Sequence, residues 1–227
     1  MAPALDEDTQ NLWAQNCMVT SPKVTKPVAV AIFAKAPIAG FAKTRLISRL
    51  GPAGAAMLQA RLIERAVTTV YDAGIGPVSL WCAPDPDHAV FRDLARRFPI
   101  ALYRQTGGDL GDRMSNAFRM LTRESPALLI GTDCVVLDAS HLILSAEALR
   151  NGYDAVFLPV EDGGYILVGL RDCATALFRD IPWNTSGVMA ETRQRAASLG
   201  LRVSEPAMLW DIDRPEDYDR AIALGAL

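Results

Sequence analysis

Seven consecutive small or apolar residues, Val28 to Ala34 (Val-Ala-Val-Ala-Ile-Phe-Ala), set the strongest limit on what this chain can fold into. A run this short and this rich in Val and Ile suits a strand buried on both faces. Such a strand requires a sheet with helices packed against each side. Similar runs follow at Val78–Cys82, Ile100–Arg104, Ala127–Gly131, Ala155–Pro159 and Tyr165–Leu170, with a short one at Leu201–Ser204. Helix-length segments separate most of them. This alternation predicts an α/β protein, a three-layer α/β/α sandwich around a mostly parallel, mixed central sheet.

The punctuation between the runs supports the same order. Gly51-Pro52 starts a long helix to about Ala73, with Pro52 suited to its first turn and Gly74 to its end. Asp85-Pro86 opens a helix to Arg97, with Asp85 as its N-cap. Further helices are predicted from Asp112 to about Thr122, from Ala139 to Leu149 behind an Asp138 cap, from about Ser186 to Leu199, and from Pro215 onward. No repeat, low-complexity segment or linker interrupts residues 28–227, which read as one domain. Met1 to Lys26 is polar and broken by Pro3, Pro22 and Pro27. We expect residues 1–27 to form a poorly ordered extension, with Leu12 and Trp13 able to dock.

Composition removes several classes of function. A net charge of −3 and no basic face argue against nucleic acid as partner. No apolar run approaches the ~20 residues that span a bilayer, and the start lacks the order of a signal peptide. Cys17, Cys82, Cys134 and Cys173 are scattered without a Cys-x-x-Cys pair, and Cys82 and Cys134 fall in or beside buried strands. These features point to a reduced, cytoplasmic protein. His88 and His141 fall on predicted surface helices, which disfavours a His-based triad or a His-ligated zinc.

Chemistry concentrates where strands end. The first run breaks at Pro37 and Gly40 and then delivers Lys43, Thr44 and Arg45, after Lys35 has already appeared. A buried strand entering a Pro/Gly loop with two Lys, an Arg and a Thr is suited to hold phosphate at the carboxyl end of a sheet. Neither the spacing of a P-loop nor a Gly-x-Gly-x-x-Gly fingerprint is present. The fourth run enters Gly131-Thr132-Asp133-Cys134, where Asp133 either caps a turn or holds Mg²⁺ or Mn²⁺ against nucleotide phosphates. Asp211-Ile212-Asp213 precedes Arg214-Pro215-Glu216-Asp217. Taken alone, Asp213 reads as a helix cap with Glu216 three residues on. It becomes a metal ligand if the strand ends bring it beside Asp133.

Three more loops admit two readings each. Glu161-Asp162-Gly163-Gly164 suits a hairpin turn or a substrate-contacting loop with Asp162 as base or acceptor-positioning group. Gly107-Gly108-Asp109-Leu110-Gly111-Asp112 suits an anion-facing helix start or a plain connection. Trp183-Asn184-Thr185-Ser186 suits sugar stacking on Trp183 or helix capping by Thr185 or Ser186.

Five motifs in order give the sequence a family likeness: Phe-Ala-Lys-Ala-Pro-x-x-Gly-x-x-Lys-Thr-Arg-Leu at 33–46, Gly-Thr-Asp-Cys at 131–134, Glu-Asp-Gly-Gly-Tyr at 161–165, Trp-Asn-Thr at 183–185 and Asp-Ile-Asp-x-Pro-Glu-Asp at 211–217. From residue 28 to the end, the chain resembles small bacterial GT-A-fold transferases described as nucleotide-diphospho-sugar transferases or "glycosyltransferase A" proteins. These are similar in fold to molybdenum-cofactor and phospholactate guanylyltransferases. The resemblance implies a nucleotide bound over the first strand's loop, with Lys35, Lys43 and Arg45 against phosphates; Ala34, Pro37, Gly40 and Thr44 are expected to line the same site. Asp109, Gly163, Gly164 and Trp183 complete that set from later loops. The resemblance places Mg²⁺ or Mn²⁺ on Asp133 and Asp213; catalysis is expected of Lys43 and Arg45, with Asp162 as base or acceptor-positioning group. Many relatives read Gly-Thr-Asp-Cys-Pro, where this chain has Val135.

The expected activity is metal-assisted transfer of a sugar from a nucleotide-diphosphate sugar to a small acceptor. The alternative is nucleotidyl transfer from a nucleoside triphosphate to a phosphorylated small molecule with release of pyrophosphate. The expected partners are a nucleotide or nucleotide-sugar and a small-molecule acceptor.

Overall fold

In the computed structural model, residues 26–227 are described; the N-terminal extension, Leu12, Trp13 and Cys17 lie outside them. Seven strands form one sheet: β1 (Ala29–Lys35), β2 (Val78–Ala83), β3 (Ile100–Arg104), β4 (Ala127–Ile130), β5 (Ala155–Pro159), β6 (Tyr165–Leu170) and β7 (Val203–Ser204). Their spatial order is β3-β2-β1-β4-β6-β5-β7. β6 alone runs against its neighbours β4 and β5, and every other pairing is parallel. The loop from β5 into β6 therefore lies at the same edge as the carboxyl ends of β1, β2 and β4.

Side-chain alternation along β1 explains the continuous apolar run. Val28, Val30 and Ile32 pack on one face with α1 (Ile47–Ala73), α2 (Ala89–Arg97) and α4 (Ala139–Arg150), through Ile63, Val67, Leu94, Leu142 and Leu149. Ala29 and Ala31 pack on the other face with α3 (Leu110–Leu121) and α5 (Val188–Ser198), through Met114, Phe118 and Met189. Both faces are covered, as a parallel strand of this composition requires. A third cluster closes the carboxyl edge. Leu46, Leu58, Leu62, Val135, Trp210 and Ile212 pack there with Ala221 of α6 (Pro215–Ala223).

Element boundaries follow the sequence with local corrections. Gly51 adopts φ 70° between two helical stretches of α1, so the regular helix does start at Pro52. α2 starts at Ala89 behind His88, whose Nδ1 accepts the Val90 N–H at 3.3 Å. Asp85 instead accepts the Asp87 N–H at 2.9 Å in a local turn, so it is not the cap of that helix. α3 begins two residues earlier than expected because Asp109 caps it, accepting the Asp112 N–H at 2.8 Å. α5 begins at Val188, and its N-cap residue is Gly187, not Thr185 or Ser186. β7 is shorter than the run at 201–204.

Candidate active site

The carboxyl edge of the sheet opens into a cleft of about 1040 Å³ over β1, β2 and β4, lined by Lys35, Lys43, Thr44, Arg45, Asp133 and Asp213 among others. A second lobe of about 630 Å³ adjoins it over β5 and β6 and includes Asp162, Gly164, Trp183 and Asp211. Arg45, Leu110, Asp133, Asn184 and Asp213 belong to the walls of both, so the two lobes meet at the acidic and basic groups.

The end of the chain builds that junction. Residues 209–213 run across the strand ends: the Leu209 N–H bonds to Pro159 O at 2.9 Å and the Ile212 N–H to Asp133 O at 2.9 Å. Trp210 and Ile212 are buried in the third cluster, and in extended backbone the alternate residues Asp211 and Asp213 turn to the opposite side. Asp213 is therefore not the cap of α6. The Asp217 carboxylate does that work, accepting the N–H groups of Asp213 at 3.1 Å and Arg214 at 2.8 Å. The Asp213 carboxylate pairs with Arg45 instead.

Asp133 likewise caps nothing. Its Oδ1 meets Lys43 Nζ at 2.9 Å and accepts the Thr132 hydroxyl at 3.2 Å. The Lys43 side chain is 5% exposed and also donates to Ile212 O. Lys43 thus ties three segments together: the loop after β1, the end of β4 and residues 209–213. Its own backbone sits at φ 47°, a left-handed conformation that a non-Gly residue adopts at a cost. Behind it, buried Gln59 of α1 donates to Lys35 O and Thr132 Oγ1, both at 3.3 Å, and so joins β1 to β4.

Asp211 is half-buried beside these groups. Burial pushes its carboxyl up to about 6; the negative charges of Asp162, Asp133 and Asp213 add to this, and Lys43 opposes it. Asp162 is exposed and accepts the Gly164 N–H at 3.0 Å, the tight-turn arrangement of a hairpin. Gly163 has φ 90°, its carbonyl accepts the Met189 N–H at 2.8 Å, and a Cβ there would collide with the Ser186 carbonyl. Its glycine is required by the close approach of the segment leading into α5. Trp183 lies edge-on to Tyr165 with ring centroids 6.5 Å apart and packs against Gly111. Trp183 Nε1 and the Tyr165 hydroxyl are buried without partners among the described residues.

The structure thus brings Lys35, Lys43, Thr44, Arg45, Asp133 and Asp213 to the first lobe, and Asp162, Gly164 and Trp183 to the second. Ala34, Pro37, Gly40, Asp109 and Gly163 are not in the walls of either lobe. Ala34 is buried in β1, and Asp109 caps α3. Sequence reasoning passed over Gln59, Gln105, Arg113 and Asp211. Gln105 follows β3 directly, and Asp211 stands two residues before Asp213, so position relative to a strand end was the available signal. Among the described residues no group of three or more His, Cys, Asp or Glu is placed to hold a metal ion. The carboxylates that line both lobes are two, Asp133 and Asp213. That number suits Mg²⁺ when substrate phosphates complete its shell.

No helix among the described residues is long and apolar enough to cross a membrane. The phosphoenolpyruvate guanylyltransferase of Rubrobacter xylanophilus is 29% identical over 206 residues, covering 87% of this chain and 97% of that protein. Among solved structures, a Desulfovibrio desulfuricans protein provisionally described as a nucleotide-diphospho-sugar transferase superposes with a TM-score of 0.74 at 24% identity, covering 82% of each chain. The 4-diphosphocytidyl-2C-methyl-D-erythritol synthase of Anaerococcus prevotii superposes with a TM-score of 0.62 at 12% identity, over 89% of this chain and all of that one. These likenesses establish the nucleotide-diphospho-sugar transferase fold. The family model described as "Uncharacterized protein conserved in bacteria (DUF2064)" matches residues 65–185, more than half of the chain, and the chain belongs to that family.

Proposed function

We propose that this protein is a nucleotidyltransferase that joins the nucleotidyl group of a nucleoside triphosphate to a phosphorylated small molecule. The observation that carries the reading is the junction of the two lobes, where Lys43 and Arg45 face Asp133 and Asp213. The likeness to a guanylyltransferase over nearly its whole length favours this reaction over glycosyl transfer. The triphosphate lies in the first lobe and the acceptor in the second. An acceptor phosphate oxygen attacks the α-phosphorus and forms the new P–O–P linkage. The bond from the α-phosphorus to the α–β bridging oxygen breaks, and its electron pair departs with pyrophosphate.

The chain's own residues supply charge and position for this step. Lys43 and Arg45 offset the negative charge that builds on the phosphoryl oxygens and the departing pyrophosphate. Lys35 and Arg113, on the walls of the same lobe, bind the outer phosphates. Asp133 and Asp213 would hold Mg²⁺ or Mn²⁺, which supplies Lewis-acid polarisation of the phosphates. Asp162, at the second lobe, positions the acceptor.

A pyrophosphate-release assay with each triphosphate and a panel of phosphorylated acceptors, phosphoenolpyruvate first, tests the proposal. Activity should require a divalent cation, and Lys43→Met should lower kcat on the order of 10²–10³-fold, the usual effect of removing one preorganised donor. Release of a free nucleoside diphosphate from a nucleotide-sugar, with no pyrophosphate from any triphosphate, would instead establish glycosyl transfer.

A further inference from the structure

We infer that Gln105 reads the nucleotide base and selects one that offers hydrogen-bond donors, guanine above all. The inference rests on the first lobe being a nucleoside triphosphate site.

Gln105 is the first residue after β3, and its backbone N–H bonds to Cys82 O at 3.0 Å. Its side chain lies on the sheet face that carries the aromatic row Phe33, Trp81 and Tyr103, in which Phe33 and Trp81 are 6.1 Å apart and Trp81 and Tyr103 4.9 Å. The amide nitrogen donates to Trp81 O at 2.8 Å and to Ala34 O at 3.4 Å. Both partners are carbonyl oxygens, so the orientation of the amide is fixed: nitrogen toward the strands, oxygen away from them. Both amide protons are used. Oε1 is the one polar atom of the group left to meet a ligand in the cleft that Gln105 lines.

The nearby backbone acceptors each already hold a donor. Ala83 O accepts the Ala36 N–H at 2.7 Å, Pro84 O accepts Arg104 Nε at 2.9 Å, and Cys82 O is taken by Gln105 itself. The surrounding wall of Phe33, Ala83, Pro84 and Leu110 is apolar and suits the faces of a ring. The cations of the lobe, Lys35, Lys43, Arg45 and Arg113, suit phosphates. Against that apolar wall, Gln105 Oε1 is the neutral side-chain acceptor placed to meet a base.

The edges of the bases differ in how well they answer it. Guanine presents N1–H and the N2 amino group side by side, so two donors converge on one oxygen. Adenine and cytosine each offer one amino group flanked by an acceptor nitrogen. Uracil offers N3–H between two carbonyl oxygens, which face the lone pairs of Oε1. A polar group of the site left unpaired, or set against a like group, is what rejects a wrong ligand.

The test is calorimetric titration of the full chain in Mg²⁺ with GTP, ITP, UTP and inorganic tripolyphosphate, for the wild type and Gln105→Met. ITP lacks only the N2 amino group of GTP. In the wild type, GTP should bind about five- to tenfold more tightly than ITP, the worth of one neutral hydrogen bond, and UTP more weakly still. In Gln105→Met the GTP and ITP constants should converge, while tripolyphosphate binds as in the wild type. Equal affinity for GTP and ITP in the wild type overturns the inference, as does a difference that survives in the variant. Should the variant not fold, the wild-type comparison decides alone. Binding of tripolyphosphate and every triphosphate alike sinks the base assignment only; binding of none of them sinks the triphosphate site as well.

Discussion

Asp211 carries the largest electrostatic penalty at the cleft. Its folded-state value, about 6, lies above the ordinary 3.8, so folding favours its protonated form. That stabilising preference is fully present below pH 3.8 and is lost as pH rises through 6. At neutral pH the ionised carboxylate is held against burial and three like charges. In metal-free buffer at pH 7.5, Asp211→Asn should therefore raise stability by roughly 1–3 kcal/mol, and the gain should shrink through pH 6 and vanish near pH 4. Urea titrations at three pH values read this directly, and a gain that is independent of pH would contradict it. Added Mg²⁺ or Mn²⁺ should narrow the gap, because a cation at the junction relieves the same repulsion. Lys43 does the opposite job: it is the buried counter-charge, and Lys43→Met leaves Asp133 and the Ile212 carbonyl without their partner.

At the scale of elements, α4 offers the cleanest test of local sequence logic. Asp138 caps it: its Oδ1 accepts the His141 N–H at 3.1 Å and the Ser140 hydroxyl at 2.6 Å. The Ser140 contact, followed by those of His141, holds the carboxyl down at about 2. Asp138→Ala should cost about 1 kcal/mol in chemical denaturation. The wild-type advantage should persist above pH 4 and fade as pH falls toward 2, since protonation removes the acceptor. In β6, the Cβ of any larger residue at Gly169 would strike the side chains of Leu128 on β4 and Val156 on β5. Gly169→Val should cost at least 2 kcal/mol, or prevent folding, because overpacking at the middle of the sheet has no room to relax.

These elements also show what the sequence discloses and what it conceals. The Val28–Ala34 run gave away a doubly covered strand, because burial on two faces leaves no place for a polar side chain. Asp138 was readable as a cap because its partners are three residues away. Asp213 was not: Asp-x-Pro-Glu fits a helix start, and only the tertiary route of residues 209–213 shows that Asp217 caps α6 and frees Asp213 for Arg45. Asp85 failed for a similar reason, as a local turn claimed its carboxylate before the helix began. Gln105 offered one signal, its place directly after β3, but its partners, like those of Gln59, are backbone carbonyls of other strands, which no spacing rule encodes.

Across the whole molecule, the arrangement is one of division between two lobes that share a charged wall. Binding a metal-nucleotide there should stabilise the fold by about 2.7 kcal/mol at a hundred times the dissociation constant, seen as a rise in melting temperature. The rise should be abolished in Asp133→Ala and kept in Asp162→Ala, since Asp133 lines the first lobe, where the nucleotide is proposed to bind, and Asp162 lines only the second. Hydrogen exchange should slow most in the loop after β1 and in residues 209–214, the two segments that Lys43 and Arg45 join.

The contact between Lys43 and Ile212 spans 169 positions of sequence, and this has a consequence for how the protein comes into being. During synthesis, at about 5–20 residues per second, the loop after β1 leaves the ribosome many seconds before the segment that packs against it. The sheet order compounds the delay, because β6 must insert between β4 and β5 before residues 209–213 have a floor to cross. A nascent chain can therefore hold much of its core while its cleft lacks one wall. A chain terminated before residue 209 lacks Asp211, Asp213 and the Ile212 carbonyl that Lys43 meets, so the reaction proposed above should be lost in it outright and not merely reduced.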